Sequence, residues 1–157
     1  MKRKYPEQPI VGVGGIVFHE NQVLLIKRGK EPNLGQWSIP GGAVHTGETL
    51  QEALIREVRE ETHLQVEVLA LVKVLDRIFR DPDGRVAYHY VLLDFLCRPQ
   101  GGEPMPDSDA QDARFIALED LPAYRLPPVT LKVIRRASRL WKNPELLKAE
   151  GWESLYE

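Results

Sequence analysis

A chain of 157 residues, 43% hydrophobic and 28% charged with a formal net charge of −2, can bury one core and is neither disordered, collagen-like nor disulfide-framed. Its one cysteine, Cys97, has no internal partner, which fits a reducing, cytoplasmic setting. No apolar run reaches the ~20 residues of a bilayer span, no apolar stretch follows the basic start to make a signal peptide, and the near-neutral charge argues against attachment to nucleic acid through an overall field. The whole chain, 1–157, reads as a single domain without linkers or repeats.

Ile10 to Phe18 is β-branched and glycine-punctuated, Val23 to Ile26 is a second apolar run, and His19 to Gln22 between them reads as a hairpin turn. A polar Gly/Pro-rich stretch leads to a short strand at Trp37 to Ile39, which Pro40-Gly41-Gly42 breaks as a turn. A helix spans Thr49 to about Thr62. Val66 to Val74 is a strand with a continuation toward Phe79, and Asp81-Pro82-Asp83-Gly84 turns it back into Val86 to Leu96 as an antiparallel neighbour. Pro99 to Asp112 is loop, Ala113 to Leu118 a strand, and Glu119 to Leu121 a turn of helix. Val129 to Trp141 carries Val133, Ile134, Ala137 and Leu140 at helical spacing, and Asn143-Pro144 ends it. The tail beyond is a short helix anchored by Trp152. Strands and helices in this order make a layered α/β domain.

The helix from Thr49 is the informative one. Thr49 with Glu52 three residues on is a capping box, and Leu50, Ala53, Leu54 and Val58 form its apolar stripe. Glu57 lies beside that stripe, with Glu60 and Glu61 three and four residues further, so all three carboxylates share one sector. Like charges at that spacing repel by a few tenths of a kcal/mol per pair, and the helix dipole disfavours anions in the last turn by a further ~0.3–1 kcal/mol each. A solvated acidic face would explain neither the position next to the core nor the anions at the wrong end. A hard divalent cation explains both, and magnesium commonly shares its coordination between carboxylates and substrate phosphates.

Gly42, Glu48, the run Arg56-Glu57-Val58-Arg59-Glu60-Glu61 and Leu64 stand at spacings that resemble the Nudix box, here residues 42–64. The approach Trp37-Ser38-Ile39-Pro40-Gly41-Gly42 and the strand Ala113 to Leu118 are similar to the same family. One position departs from it, with His63 where the family has glycine. A glycine there supplies a left-handed cap, so His63 implies a strained or altered cap and leaves the carboxylates in place.

The resemblance implies an α/β/α sandwich around a mixed β-sheet, and hydrolysis of a nucleoside diphosphate linked to another moiety with Mg2+ or Mn2+. It implies that Glu57, Glu60 and Glu61 ligate the metal together with the Gly41 carbonyl. Arg56 braces a ligand carboxylate, Glu48 supports the loop or the metals, and Gly41 and Gly42 allow close backbone approach. The general base is a box glutamate or a later loop acid, for which Asp109 and Asp112 are the candidates. Arg28, Arg77 and Arg80 are candidates to bind phosphate, and Phe18, Phe79, Tyr88 and Tyr90 to stack on a base. Length and the run Tyr88 to Phe95 resemble ADP-ribose pyrophosphatases, which implies a small nucleotide substrate and a homodimer. A MutT-like triphosphate pyrophosphatase and a non-catalytic nucleotide sensor are the alternatives. The glycines at 12, 14 and 15 are no dinucleotide fingerprint, and the scattered histidines make no zinc site.

Overall fold

The computed structural model describes residues 2–149. Its first strand, β1 (Ile10–His19), is the hub of the sheet. Along Ile10–Val17 it pairs in parallel with β6 (Val86–Pro99), which in turn pairs antiparallel with β5 (Val66–Arg80). Its last two residues pair with β2 (Gln22–Arg28) across the expected turn, in which Glu20 takes a left-handed conformation. From there the chain diverges: β2 pairs with β3 (Trp37–Ser38) and with β7 (Ala110–Ala117). The order is β3-β2-β1-β6-β5, with β7 on β2 and β4 (Gly41–Ala43) on β1.

Helices cover both faces, and β1 shows how. Successive side chains alternate across a strand, so residues three apart face opposite ways. A Cβ on Gly15 would sit 3.2 Å from Leu54 and 3.4 Å from Val58 of α1 (Leu50–Thr62). Phe18 instead stacks on Trp141 of α2 (Pro128–Trp141), with ring centroids 6.0 Å apart. The result is the α/β/α sandwich with a mixed sheet. Leu24, Leu54, Phe95, Leu96, Ile134 and Leu140 fill it, and each such apolar side chain contributes roughly 1.5–3 kcal/mol by burial. A 3-10 helix (Leu118–Tyr124) links β7 to α2, and α3 (Pro144–Ala149) follows Asn143. Among the described residues no helix is long and apolar enough to cross a membrane.

Three expectations change. Gly41 and Gly42 do not turn the chain; they form β4, in antiparallel register with Gly14 and Val13. The loop after Pro99 ends three residues early, because β2 offers a free edge as far as Arg28 and recruits Ala110, Gln111 and Asp112 into β7. Ile39 falls outside β3. Trp152 lies outside the described residues.

Helix α1 begins as the capping box implies, with Glu52 N–H donating to Thr49 Oγ1 at 3.1 Å. It ends on His63, whose φ of 63° is the left-handed cap that a glycine adopts without strain. The His63 N–H still closes on the Arg59 carbonyl, and its ring compensates by meeting Asp107 at 2.8 Å. This gives a clean test. His63→Ala and His63→Gly both lose the exposed ion pair, but only alanine keeps the backbone penalty. The glycine variant should be more stable by about 1 kcal/mol, or roughly 2–4 °C in Tm. Equal melting temperatures would mean that the cap is not left-handed in solution.

Candidate active site

The apolar stripe of α1 explains where its carboxylates go. Leu54, Val58 and Glu61 follow one another at steps of four and three residues, so Glu61 is carried into the interior with them and is only 5% exposed. Glu57 sits at the margin, and Glu60 reaches solvent. The sequence held this signal, since Glu61 continues the stripe more directly than Glu57 does.

Arg56 gathers the rest. Its Nε and Nη2 donate to the two oxygens of Glu48 at 2.6 and 2.9 Å, its Nη1 donates to Glu57 at 2.8 Å and Glu60 at 3.2 Å, and Nη2 also reaches the Ala43 carbonyl at 3.0 Å. The fork on Glu48, joined by the His45 N–H, pulls that carboxyl down to about 2. Glu48 thereby ties down the loop that precedes α1, one of the two readings implied for it. Arg56 braces both Glu57 and Glu60.

Glu61 stands apart from Arg56. Its Oε1 accepts the Gly41 N–H at 2.8 Å. Burial pushes its carboxyl up to about 8; the Gly41 N–H opposes this, Glu57 adds to it, and the charges of Arg28 and Asp109 reach it from across the site. Gly42 has a separate role. A Cβ there would lie 2.5 and 2.6 Å from the two oxygens of Glu57, so glycine is the residue that leaves this carboxylate its place.

Arg56, Glu57, Glu60, Glu61 and Gly42 line one cavity of about 340 Å³, together with Gly41, Arg28, Lys30, Asp109 and Tyr90. The register shifts beyond Lys27, with Gln111 of β7 as the extra residue, and Arg28 at the end of β2 lines the cavity. Asp109 pairs with Lys30 at 2.6 Å, whereas Asp112 is held by Arg114 and does not line the cavity. Arg77 and Phe79 line it too; Arg80 instead bonds the Gly84 carbonyl, and Tyr88 lies behind Tyr90 with its ring nearly parallel. Phe18 corrects an expectation. It is fully buried against Trp141, because its face of β1 is the one that α2 covers, and it cannot stack on a base. Cys97 is a buried core residue, and burial pushes its thiol up. Among the cavity residues that went unrecognised in the sequence are Lys30, in a loop without periodicity, and Asp94, a lone acid in an apolar strand.

Among the described residues, no three His, Cys, Asp or Glu side chains are arranged as a cation cage, because Arg56 draws Glu57 and Glu60 toward itself. Oε2 of Glu57 and Oε2 of Glu61 accept nothing from any described residue.

Glu61 makes stability depend on pH. Its folded value of about 8 exceeds its ordinary 4.5, so it favours the folded state fully below about 4.5 and loses that contribution as pH rises through about 8. In the metal-free protein, Tm should fall across this interval more steeply for wild type than for Glu61→Gln. Parallel curves in a thermal melt series would contradict the buried, protonated carboxyl.

The family profile described as NUDIX domain matches residues 8–137. The chain is 41% identical to the ADP-ribose pyrophosphatase of Methanocaldococcus jannaschii over 135 residues, 86% of this chain and 76% of that protein. It is 32% identical to the nucleoside triphosphatase NudI of Escherichia coli over 130 residues, 76% of this chain and 90% of the other. A crystal structure of a MutT NUDIX hydrolase from Burkholderia pseudomallei superposes with a TM-score of 0.71 at 32% identity, covering 83% of this chain and 98% of that one. With the acidic helix, the glycine strand beside it and the sandwich around them matched over this length, the chain belongs to the Nudix family of hydrolases.

Proposed function

We propose that the chain hydrolyses ADP-ribose to AMP and ribose 5-phosphate, using Mg2+ or Mn2+, in a cytoplasmic setting and as a homodimer. The observation that carries the reaction class is the joining, in one cavity, of the α1 carboxylates to the cations Arg28 and Lys30 and to a sheet face bearing Tyr90. The choice of ADP-ribose is supported by the 41% identity to the archaeal protein of that activity.

The donor set fits a hard cation. It is all oxygen, one member is buried, and a glycine keeps the space of another clear. Glu57, Glu60 and Glu61 would hold the ion with the Gly41 carbonyl, the two glutamates on Arg56 reaching it by rotation of their side chains. When bound, such an ion neutralises pyrophosphate charge and makes water more acidic.

The chain's own residues do the remaining work. Arg28 and Lys30 attract the diphosphate into the cavity. Arg56 remains charged at any working pH and gathers Glu57 and Glu60 beside the cavity. Asp109, on the far side of the cavity and linked in charge to Glu61, accepts the proton of the attacking water. The water oxygen bonds to one phosphorus, the bond from that phosphorus to the bridging oxygen breaks, and the two monophosphates leave.

A panel of ADP-ribose, sugar nucleotides, dinucleoside polyphosphates and normal and oxidised triphosphates tests this. ADP-ribose should give the highest kcat/KM, with activity lost on chelation and restored by Mg2+ or Mn2+. Faster cleavage of triphosphates would replace the substrate reading with the MutT-like one, and binding without cleavage of any of them would mark a nucleotide sensor.

Two variants probe the site. Glu60→Gln should lower turnover by orders of magnitude with the fold intact. Gly42→Ala should displace the Glu57 carboxylate and reduce kcat at least about tenfold, comparable to the loss of a positioning contact at a metal site. Near-normal turnover in both would sink the assignment.

A further inference from the structure

Strands β1, β6 and β5 align Gly14 with Asp94 and Lys73, Gly12 with Leu92 and Leu75, and Ile10 with Tyr90 and Arg77. Every second residue of β6 shares a face, so Tyr90, Leu92 and Asp94 all line the cavity. Asp94 is only 4% exposed, yet its carboxylate accepts no hydrogen bond and makes no ion pair with any described residue. Lys73 and Arg77 act on it only through space. Its place is built by a second strand, since a Cβ on Gly14 would fall on Asp94 Oδ1 and 2.9 Å from Ile39 Cδ1.

Its neighbours Ile39, Leu92 and Leu75 are apolar and offer it no donor, while Lys73 and Arg77 act on it from a distance. No side-chain oxygen among the described residues is both buried and unpartnered, so the Asp94 carboxylate opens onto the cavity, where a ligand that displaces water has to supply its hydrogen bond. Phosphate is the wrong ligand for Asp94 itself, because like charges repel. Geometry agrees. Gly14 lies between Asp94 and Gly41, so Asp94 stands two strand spacings, about 10 Å, from the backbone that holds Glu61. That is the reach from a phosphate beside Glu61 to the sugar or base of the same nucleotide.

We propose that Asp94 is a specificity-determining residue that accepts a hydrogen bond from an N–H or O–H of the substrate's nucleoside half. This rests on the reading that the cavity takes a nucleoside diphosphate derivative.

The test compares wild type with Asp94→Asn and Asp94→Ala in ADP-ribose hydrolysis and in thermal melts without ligand. Both variants should raise KM about ten- to a hundredfold, as expected for a lost charged hydrogen bond, with kcat little changed and Tm equal or higher. A purely structural aspartate would instead lower Tm and leave KM alone. Two further substrates identify the donor, one lacking the 6-amino group of adenine and one lacking the 2′-hydroxyl of its ribose. The analogue on which wild type and Asp94→Asn become equal has lost the partner of Asp94, and if neither equalises them the inference fails. Unchanged KM in both variants overturns it alone. Failure of the wild type to bind or cleave any nucleoside diphosphate overturns the functional reading as well, and calorimetry with ADP distinguishes the two failures.

Discussion

One guanidinium organises the acidic helix. Three glutamates and a backbone carbonyl meet Arg56, whose side chain is 16% exposed, and its planar fork satisfies Glu48 with two parallel bonds while the third nitrogen spans Glu57 and Glu60. Exposed ion pairs are commonly worth 0–1 kcal/mol, but a pair this shielded cannot lose one partner without stranding the other. Because Glu48 precedes α1 by two residues and Ala43 ends β4, the same contact ties strand, loop and helix into one rigid unit. The acidic density from Glu48 to Glu61, five acids against two bases, is tolerable because of where one of those bases sits.

The other end of α1 is fixed by different means. A helix leaves its last carbonyls without intrahelical donors. Here the Met105 N–H reaches the Thr62 carbonyl at 2.9 Å, the Asp107 N–H reaches that of Glu61 at 3.1 Å, and the Asp107 side chain meets His63. The loop that carries Asp109 is therefore docked on the end of the box helix. The next residue, Ala110, opens β7 on β2, whose Arg28 lines the same cavity. His63 departs from the family's glycine, and the cap it strains is also a contact that orders this loop.

Legibility in the sequence followed the range of the interaction. The helix, its cap, the β5–β6 hairpin and α2 were readable because capping, turn chemistry and periodicity are local. The acidic triad was readable from i,i+3 and i,i+4 spacing, whereas the bracing role of Arg56 came from the family resemblance. Gly41 and Gly42 misled, because Pro-Gly-Gly signals a turn while their actual constraint is the approach of Val13 and Glu57 from other elements. Phe18 misled for a related reason: alternation says that a strand has two faces without saying which one a helix will cover. Asp94 was invisible, since only the pairing of β6 with β1 places it over Gly14.

Glu61 and Asp94 belong together physically. Both are acids carried into the interior by an apolar pattern, and burial is the largest influence on each, pushing them up to about 8 and about 7. Neither is compensated as Glu48 is. Glu61 has one backbone N–H and Asp94 has none, and the paired glycines at 14 and 41 stand between them. A sequence selected only for stability would neutralise both positions. Two under-satisfied carboxylates at separate points of one cavity instead divide it by chemistry, with Glu61 at the end suited to a cation and phosphates, and Asp94 at the end suited to a neutral group that donates hydrogen bonds. A nucleotide carries both kinds of group in one molecule.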